Sequence, residues 1–226
     1  MSQLPLAIGL DDDAVFETFY REGNDALVDH LERLCAQEER VGAWLWGRPA
    51  SGKSHLLQAV CDRLGSNAVF LPLKELESLG PQVLDGMAER SSVCLDDLDA
   101  VAGQPDWERG LFNLFEAARE HEAFLVVTSS GPPREAGVSL RDLQSRLTQL
   151  PAFQVKSLDD KGRLQALALH AARRGLDLPD ETAKFLARRA RRDMASLYLL
   201  LDRLDDEALI AKRRLTIPFV REVLDV

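Results

Sequence analysis

The chain has 226 residues, 46% of them hydrophobic and 29% charged, with a formal net charge of −9. This length suits one domain, or one domain with a small satellite, and the apolar content suffices for a core without staples. The acidic balance argues against a protein whose main work is coating DNA, because phosphate contacts need a basic surface. No apolar run reaches the roughly 20 residues that span a bilayer, and Met1–Leu4 does not open a secretory signal. The cysteines Cys35, Cys61 and Cys94 are odd in number and far apart, as expected of reduced thiols. His30, His55, His121 and His170 show no metal-ligand spacing, so a metal held by protein ligands alone is not expected.

Met1 to Asp12 reads as an extended tail, apolar at first and acidic at its end. A helix is predicted over Asn24–Gln37, where Leu27, Leu31 and Leu34 recur at helical spacing. Strands and helices then alternate. The strands are Val41–Trp46, Ala68–Leu71, Ser92–Leu95, Ala123–Thr128 and Phe153–Val155. Between them lie helices at Gly52–Leu64, Pro105–Glu120 and Leu140–Leu147, and a broken stretch over Leu73–Arg90 interrupted at Gly80-Pro81. This alternation implies an α/β fold with a parallel sheet covered on both faces. After Lys156 only helices are predicted: Asp159–Arg174 closed by Gly175, Pro179–Arg191, Met194–Leu209 and Ile217–Leu224. The expected layout is a tail over 1–12, a three-layer α/β nucleotide-binding domain over 13–156 and a small all-α lid domain over 157–226.

Gly47-Arg48-Pro49-Ala50-Ser51-Gly52-Lys53-Ser54 is a complete G-x-x-x-x-G-K-S between a predicted strand and a predicted helix. Gly47 and Gly52 permit backbone angles and close approaches that a Cβ would block, so several N–H groups can face phosphate oxygens. Lys53 offers a cation to the outer phosphates, and Ser54 offers a hydroxyl to Mg²⁺. The helix running on through His55 turns its positive end toward the anion. The motif predicts a bound purine nucleotide, ADP or ATP, with Mg²⁺.

Val93-Cys94-Leu95-Asp96-Asp97 is an apolar strand that runs into carboxylates. In phosphate-loop proteins the acid at the end of a neighbouring strand holds Mg²⁺ through water, and Asp96 is expected in that place. Asp97 follows where vigorous ATPases commonly carry a glutamate that orients the attacking water. Aspartate is one methylene shorter, so slow hydrolysis is expected. Thr128-Ser129 ends the fourth strand, where Thr128 can sense a γ-phosphate or simply terminate the strand. Arg146 sits in a short helix from which such proteins often project an arginine into a neighbour's nucleotide; on position alone an ordinary surface arginine fits equally well. Arg188, Arg189, Arg191 and Arg192 form a charge run that is mostly solvated, with Arg192 best placed to reach phosphates.

Together these residues resemble the DnaA-like branch of the AAA+ ATPases, over nearly the whole chain. Phe16-x-x-Phe19 and Gly23-Asn24 are similar to the segment that cradles adenine, with Gly and Asn adjacent where the family often has a residue between them. The Asp96-Asp97 pair resembles the branch's Walker B acids. Ser145-Arg146 resembles its arginine-finger motif, and Arg192-Asp193-Met194 its sensor II. The resemblance implies adenine contacts from Phe19 and Asn24, phosphate contacts from Arg192, and Arg146 offered in trans.

Within that branch the chain is similar to the Hda family. Gln3-Leu4-Pro5-Leu6-Ala7-Ile8 resembles the peptide by which bacterial proteins dock on the DNA polymerase sliding clamp, with Gln3, Leu4, Leu6 and Ile8 as the contacts. The Pro132-Pro133 loop and Leu215–Val220 are similar to that family too, and the chain stops at Val226 without the helix-turn-helix domain of DnaA initiators. The resemblance implies a cytoplasmic bacterial regulator, associated with the replisome. It would bind the clamp and promote hydrolysis of DnaA-bound ATP, its own site holding ADP. Two other readings stay open: a DnaA-related ATPase with its own turnover, such as a helicase loader, and a DNA-binding module using Arg188–Arg192 and Lys212–Arg214. Oligomeric state is open as well, a homo-oligomer included.

Overall fold

Five short strands, apolar along most of their length, form one parallel sheet. They are β1 (Ala43–Trp46), β2 (Ala68–Pro72), β3 (Ser92–Asp96), β4 (Phe124–Ser129) and β5 (Ala152–Gln154), in spatial order β2-β3-β4-β1-β5. The helices among them are α1 (Asp25–Cys35), α2 (Lys53–Leu64), α3 (Leu73–Leu76), α4 (Pro105–Glu120) and α5 (Arg141–Leu147). The computed structural model describes residues 13–189, 194–211 and 213–224. Gln3, Leu4, Leu6, Ile8 and Arg192 lie outside the described residues.

Every residue of β3 and β4 is buried, because helices cover both faces of the sheet and a strand between two layers has no solvent side. Successive side chains point to opposite faces. Val93 and Leu95 of β3 and Leu125 and Val127 of β4 join the core built with Leu111 and Leu114 of α4 and Leu143 and Leu147 of α5. The alternate residues face the other layer, where the Cys94 thiol meets Cys61 of α2. That neighbour and burial push the Cys94 thiol well above its ordinary range, and burial pushes the half-exposed Cys35 up to about 11. Both stay protonated and weakly nucleophilic.

The strand predicted from Val41 begins at Ala43. Glu39 explains the difference, since its carboxylate accepts from the N–H groups of Arg40 (3.0 Å) and Val41 (3.2 Å). Those hydrogen bonds hold the Glu39 carboxyl below its usual range and keep Val41 in an exposed loop. Gly42 then passes against β4, where a Cβ would stand 1.9 Å from the Leu125 carbonyl oxygen.

The chain divides into two compact units: residues up to Phe16 with Gly23–Lys156, and Glu17–Glu22 with Ser157 onward. The expected layout put residues 17–22 in the α/β part. Their only regular element is the end of a single 3₁₀ turn, Phe16–Thr18, too short to carry a periodic signal. The second unit holds α6 (Asp160–Arg173), α7 (Asp180–Arg189), α8 (Met194–Ala211) and α9 (Ile217–Val223). Asp159 caps α6 by accepting from Gly162 N–H at 2.7 Å. Leu167, Leu186, Leu197, Leu201, Leu204 and Phe219 build a separate core. His170 of α6 stacks on Tyr198 of α8 at 4.1 Å and faces Asp202 at 3.6 Å. Among the described residues no helix is long and apolar enough to cross a membrane.

Candidate functional site

β1 ends at Trp46 and α2 begins at Lys53, so residues 47–52 turn at the C-terminal edge of the sheet, where open parallel sheets bind ligands. Gly47 is buried under the chain that leaves β5. Val155 N–H donates to Trp46 O at 2.7 Å, and a Cβ on Gly47 would stand 2.6 Å from Val155 O. Ala50 holds a left-handed φ of +59°, a conformation that costs a non-glycine residue on the order of 1 kcal/mol or more and gathers at ligand sites. Lys53 is buried, and its ammonium donates to the carbonyls of Gly47 (3.0 Å) and Arg48 (3.1 Å). Ser51 Oγ is buried with no hydrogen-bond partner among the described residues. Ser54 is half-buried in the first turn of the 12-residue α2, whose unsatisfied N–H groups face the loop. The His55 ring is bonded to Val15 O at 2.8 Å, which ties the segment ahead of α1 to α2.

β3 and β4 are neighbours, and their ends bring three polar groups together. Thr128 Oγ1 donates to Asp96 Oδ1 at 2.5 Å and accepts from Asp97 N–H at 2.9 Å. Asp96 is buried, while Asp97 stands in the left-handed region at φ 54°, ψ 52°. Partial burial pushes the Asp97 carboxyl above its ordinary value. Asp96 and Asp99 push it further, and the Lys53 ammonium partly offsets them. Asp99 Oδ1 accepts from Ser130 N–H at 3.3 Å, and Ser129 Oγ is a second buried hydroxyl without a partner among the described residues. Orphaned hydroxyls, mutually repelling carboxylates and one ammonium beside a helix start fit a Mg²⁺-nucleotide, which supplies both anionic oxygens and a divalent charge.

Other predicted residues are placed differently. Asn24 is buried, with both ends of its amide on one backbone unit: Nδ2 donates to Lys156 O (3.2 Å) and Oδ1 accepts from Lys156 N–H (2.9 Å). It pins the exit of β5 to the entry of α1. Phe19 is buried and belongs to the second unit. Arg48, Pro49 and Ala50 form the exposed crest of the loop.

Arg146 lies at the end of α5, two residues before the loop that leads into β5. Its Nε meets Glu116 Oε1 of α4 at 2.8 Å, and Glu116 Oε2 meets Arg119 Nη2 at 2.8 Å. The three line an open cavity of about 470 Å³ with Gly42, Phe124 and Leu150, residues at or ahead of the starts of β1, β4 and β5. In a parallel sheet all strands start at one edge. Arg146 and the phosphate loop therefore lie at opposite edges, separated by a strand length of about 13–20 Å. Sequence reasoning named Arg146 but missed Glu116. The pair spans two helices, and no local spacing signals it.

Residues 160–224 match the profile of the Hda lid domain family. The chain is also similar to domain III of the Thermotoga maritima replication initiation protein DnaA, at a TM-score of 0.78 and 18% identity over 96% of this chain and 98% of that one. AMPPCP-bound DnaA from Aquifex aeolicus gives 0.64 at 19% identity, with 85% of this chain and 65% of that one covered. Thermotoga maritima RuvB gives 0.65 at 17%, with 91% and 68% covered. This chain thus corresponds to about two thirds of those two proteins. The structural likeness shows the fold, and the profile match bears on the helical unit. The chain therefore has the fold of DnaA domain III, and its residues 160–224 match the Hda lid domain family.

Proposed function

We propose that this chain restrains replication initiation by lending Arg146 to the ATP held by DnaA, while its own phosphate loop holds ADP. The observation that carries the reading is the position of Arg146. It sits at the sheet edge opposite its own phosphate loop, beyond reach of its own nucleotide, with a half-exposed guanidinium. That position keeps Arg146 away from its own nucleotide and leaves it open to one on another molecule, which supports the reading. The Hda-family lid and the DnaA-like fold make DnaA the favoured recipient. At that nucleotide, water attacks the γ-phosphorus and the β–γ bridging oxygen departs with the ADP. The guanidinium offsets charge on the equatorial oxygens, an effect worth about 10³–10⁵ in rate in related NTPases.

The chain's own site supports a resident nucleotide. Gly47–Ser54 would hold the phosphates, with Thr128 beside them, and the resemblance assigns a phosphate contact to Arg192 as well. Ser54 and Asp96 would hold Mg²⁺, which neutralises phosphate charge when bound. Gln3, Leu4, Leu6 and Ile8 would tether the chain to the sliding clamp and so confine its action to replicated DNA.

The test is hydrolysis of DnaA-bound ATP with clamp loaded on DNA. Arg146→Ala is expected to return the rate to that of DnaA alone, and deletion of Met1–Asp12 to abolish clamp binding. Full stimulation by Arg146→Ala overturns the trans role, and full clamp affinity without the tail overturns the tether. The Thr128–Asp96–Asp97 arrangement favours a second reading, an ATPase with its own turnover. That reading requires ATP hydrolysis by the chain alone, lost in Lys53→Ala.

A further inference from the structure

We infer that Glu116 is the positioning residue for Arg146, holding the guanidinium by one side so that its other side faces outward. The inference rests on the proposed trans role of Arg146. A long, partly exposed arginine samples many rotamers, and a group that must meet a phosphoryl in one geometry works best when its orientation is set beforehand. Here the setting is visible. The Arg146 side chain is 35% exposed, and Glu116, at 26%, forms an ion pair with it through Nε at 2.8 Å, without the alignment of a hydrogen bond. The two terminal Nη groups have no partner among the described residues. Those two groups form the fork that binds phosphate in bidentate fashion.

Two further observations point the same way. Glu116 is shared: its second oxygen meets Arg119 Nη2 at 2.8 Å. Arg119 draws on the carboxylate's charge, which leaves Arg146 a stronger cation toward an incoming anion than a private pair would. The helix that carries Glu116 also fixes the other end of α5. Glu108, buried on α4, accepts from Ser139 N–H (2.8 Å) and Leu140 N–H (2.7 Å) just before α5, and from Gly103 N–H (2.7 Å). Glu108 and Glu116 are about 12 Å apart along α4, near the length of α5 itself. One helix thus grips the arginine-bearing helix at its start and its end.

The experiment uses the full chain with Glu116→Gln, which keeps the shape and removes the charge. DnaA-bound ATP hydrolysis on clamp-loaded DNA is followed against concentration of the chain. The expected result is a plateau lower by tenfold or more, on the order of what misplacing a catalytic group costs, with an unchanged half-saturating concentration. Glu116→Asp recovers part of the plateau. In an Arg146→Ala background Glu116→Gln changes nothing further. A full plateau, a shift in half-saturation alone, or an equal loss in both backgrounds overturns the role. A second measurement needs no partner: the ¹⁵Nε–H signal of Arg146, assigned by its absence in Arg146→Lys. It is expected sharp in the wild type and exchange-broadened in Glu116→Gln. If that signal is unchanged, Glu116 does not hold the arginine. If it broadens while Arg146→Ala still stimulates fully, the trans function falls and the positioning contact stands.

Discussion

Asp97 concentrates the conflicts of the site in one residue. It is left-handed, half-buried, and faces two other carboxylates. Its folded-state pKa is raised, so ionising it is harder in the fold than in the unfolded chain. The sign follows from linkage. Below the unfolded value Asp97 is protonated in both states and carries no penalty. As pH rises through the unfolded and then the folded pKa, the fold loses stability relative to a neutral residue. Asp97→Asn should therefore raise the melting temperature at neutral pH, with the gain shrinking as pH falls below the ordinary aspartate range. Asparagine tolerates the left-handed region, so backbone strain does not confuse the comparison. Thermal melts of both proteins across pH check this, and a gain that is the same at every pH contradicts the assignment. The placement of Asp97 near Lys53 was legible in sequence, because an acidic strand end about 40 residues after a phosphate-loop motif is expected beside that loop. Its backbone conformation was not, since it is set by the bond from its N–H to Thr128, 31 residues away.

At the scale of elements, periodicity reads what is local. α4 was expected over Pro105–Glu120 and is found there, because Pro105 starts the helix and an apolar stripe runs its length. The start of β1 was read two residues early, because a hydrophobic Val41 says nothing of the Glu39 carboxylate that holds it in a loop. Glu108 is the larger omission. On α4 it looks like one more surface acid, yet it is 2% exposed and accepts three backbone N–H bonds from two loops. Those loops converge only in the folded chain. Glu108→Ala leaves three donors without an acceptor, and each buried orphan costs about 1–3 kcal/mol. A loss of about 3 kcal/mol or more in urea unfolding is expected, with Glu108→Gln intermediate because one amide oxygen remains. A loss under 1 kcal/mol would mean that water takes over these bonds.

For the whole molecule, the two units own separate cores, so unfolding need not be a single step. The phosphate loop belongs to the α/β unit, which makes nucleotide a probe of which transition is which. A ligand that binds only the folded form stabilises it by about 2.7 kcal/mol at a hundred times its Kd. For a unit of this size that is a rise of roughly 5–11 °C in melting temperature. ADP with Mg²⁺ is therefore expected to move the transition of the α/β unit by that amount. Lys53→Ala should cancel the shift, because it removes the cation that faces both the loop and the acids. Arg146→Ala should keep the whole shift, since Arg146 stands at the other edge of the sheet. This contrast separates the two roles of nucleotide in one calorimeter. Under the proposed function, holding a nucleotide is assigned to Lys53, and acting on another molecule's nucleotide to Arg146. Equal loss of the ADP shift in both variants would place Arg146 at the chain's own site and remove the geometric basis for action in trans.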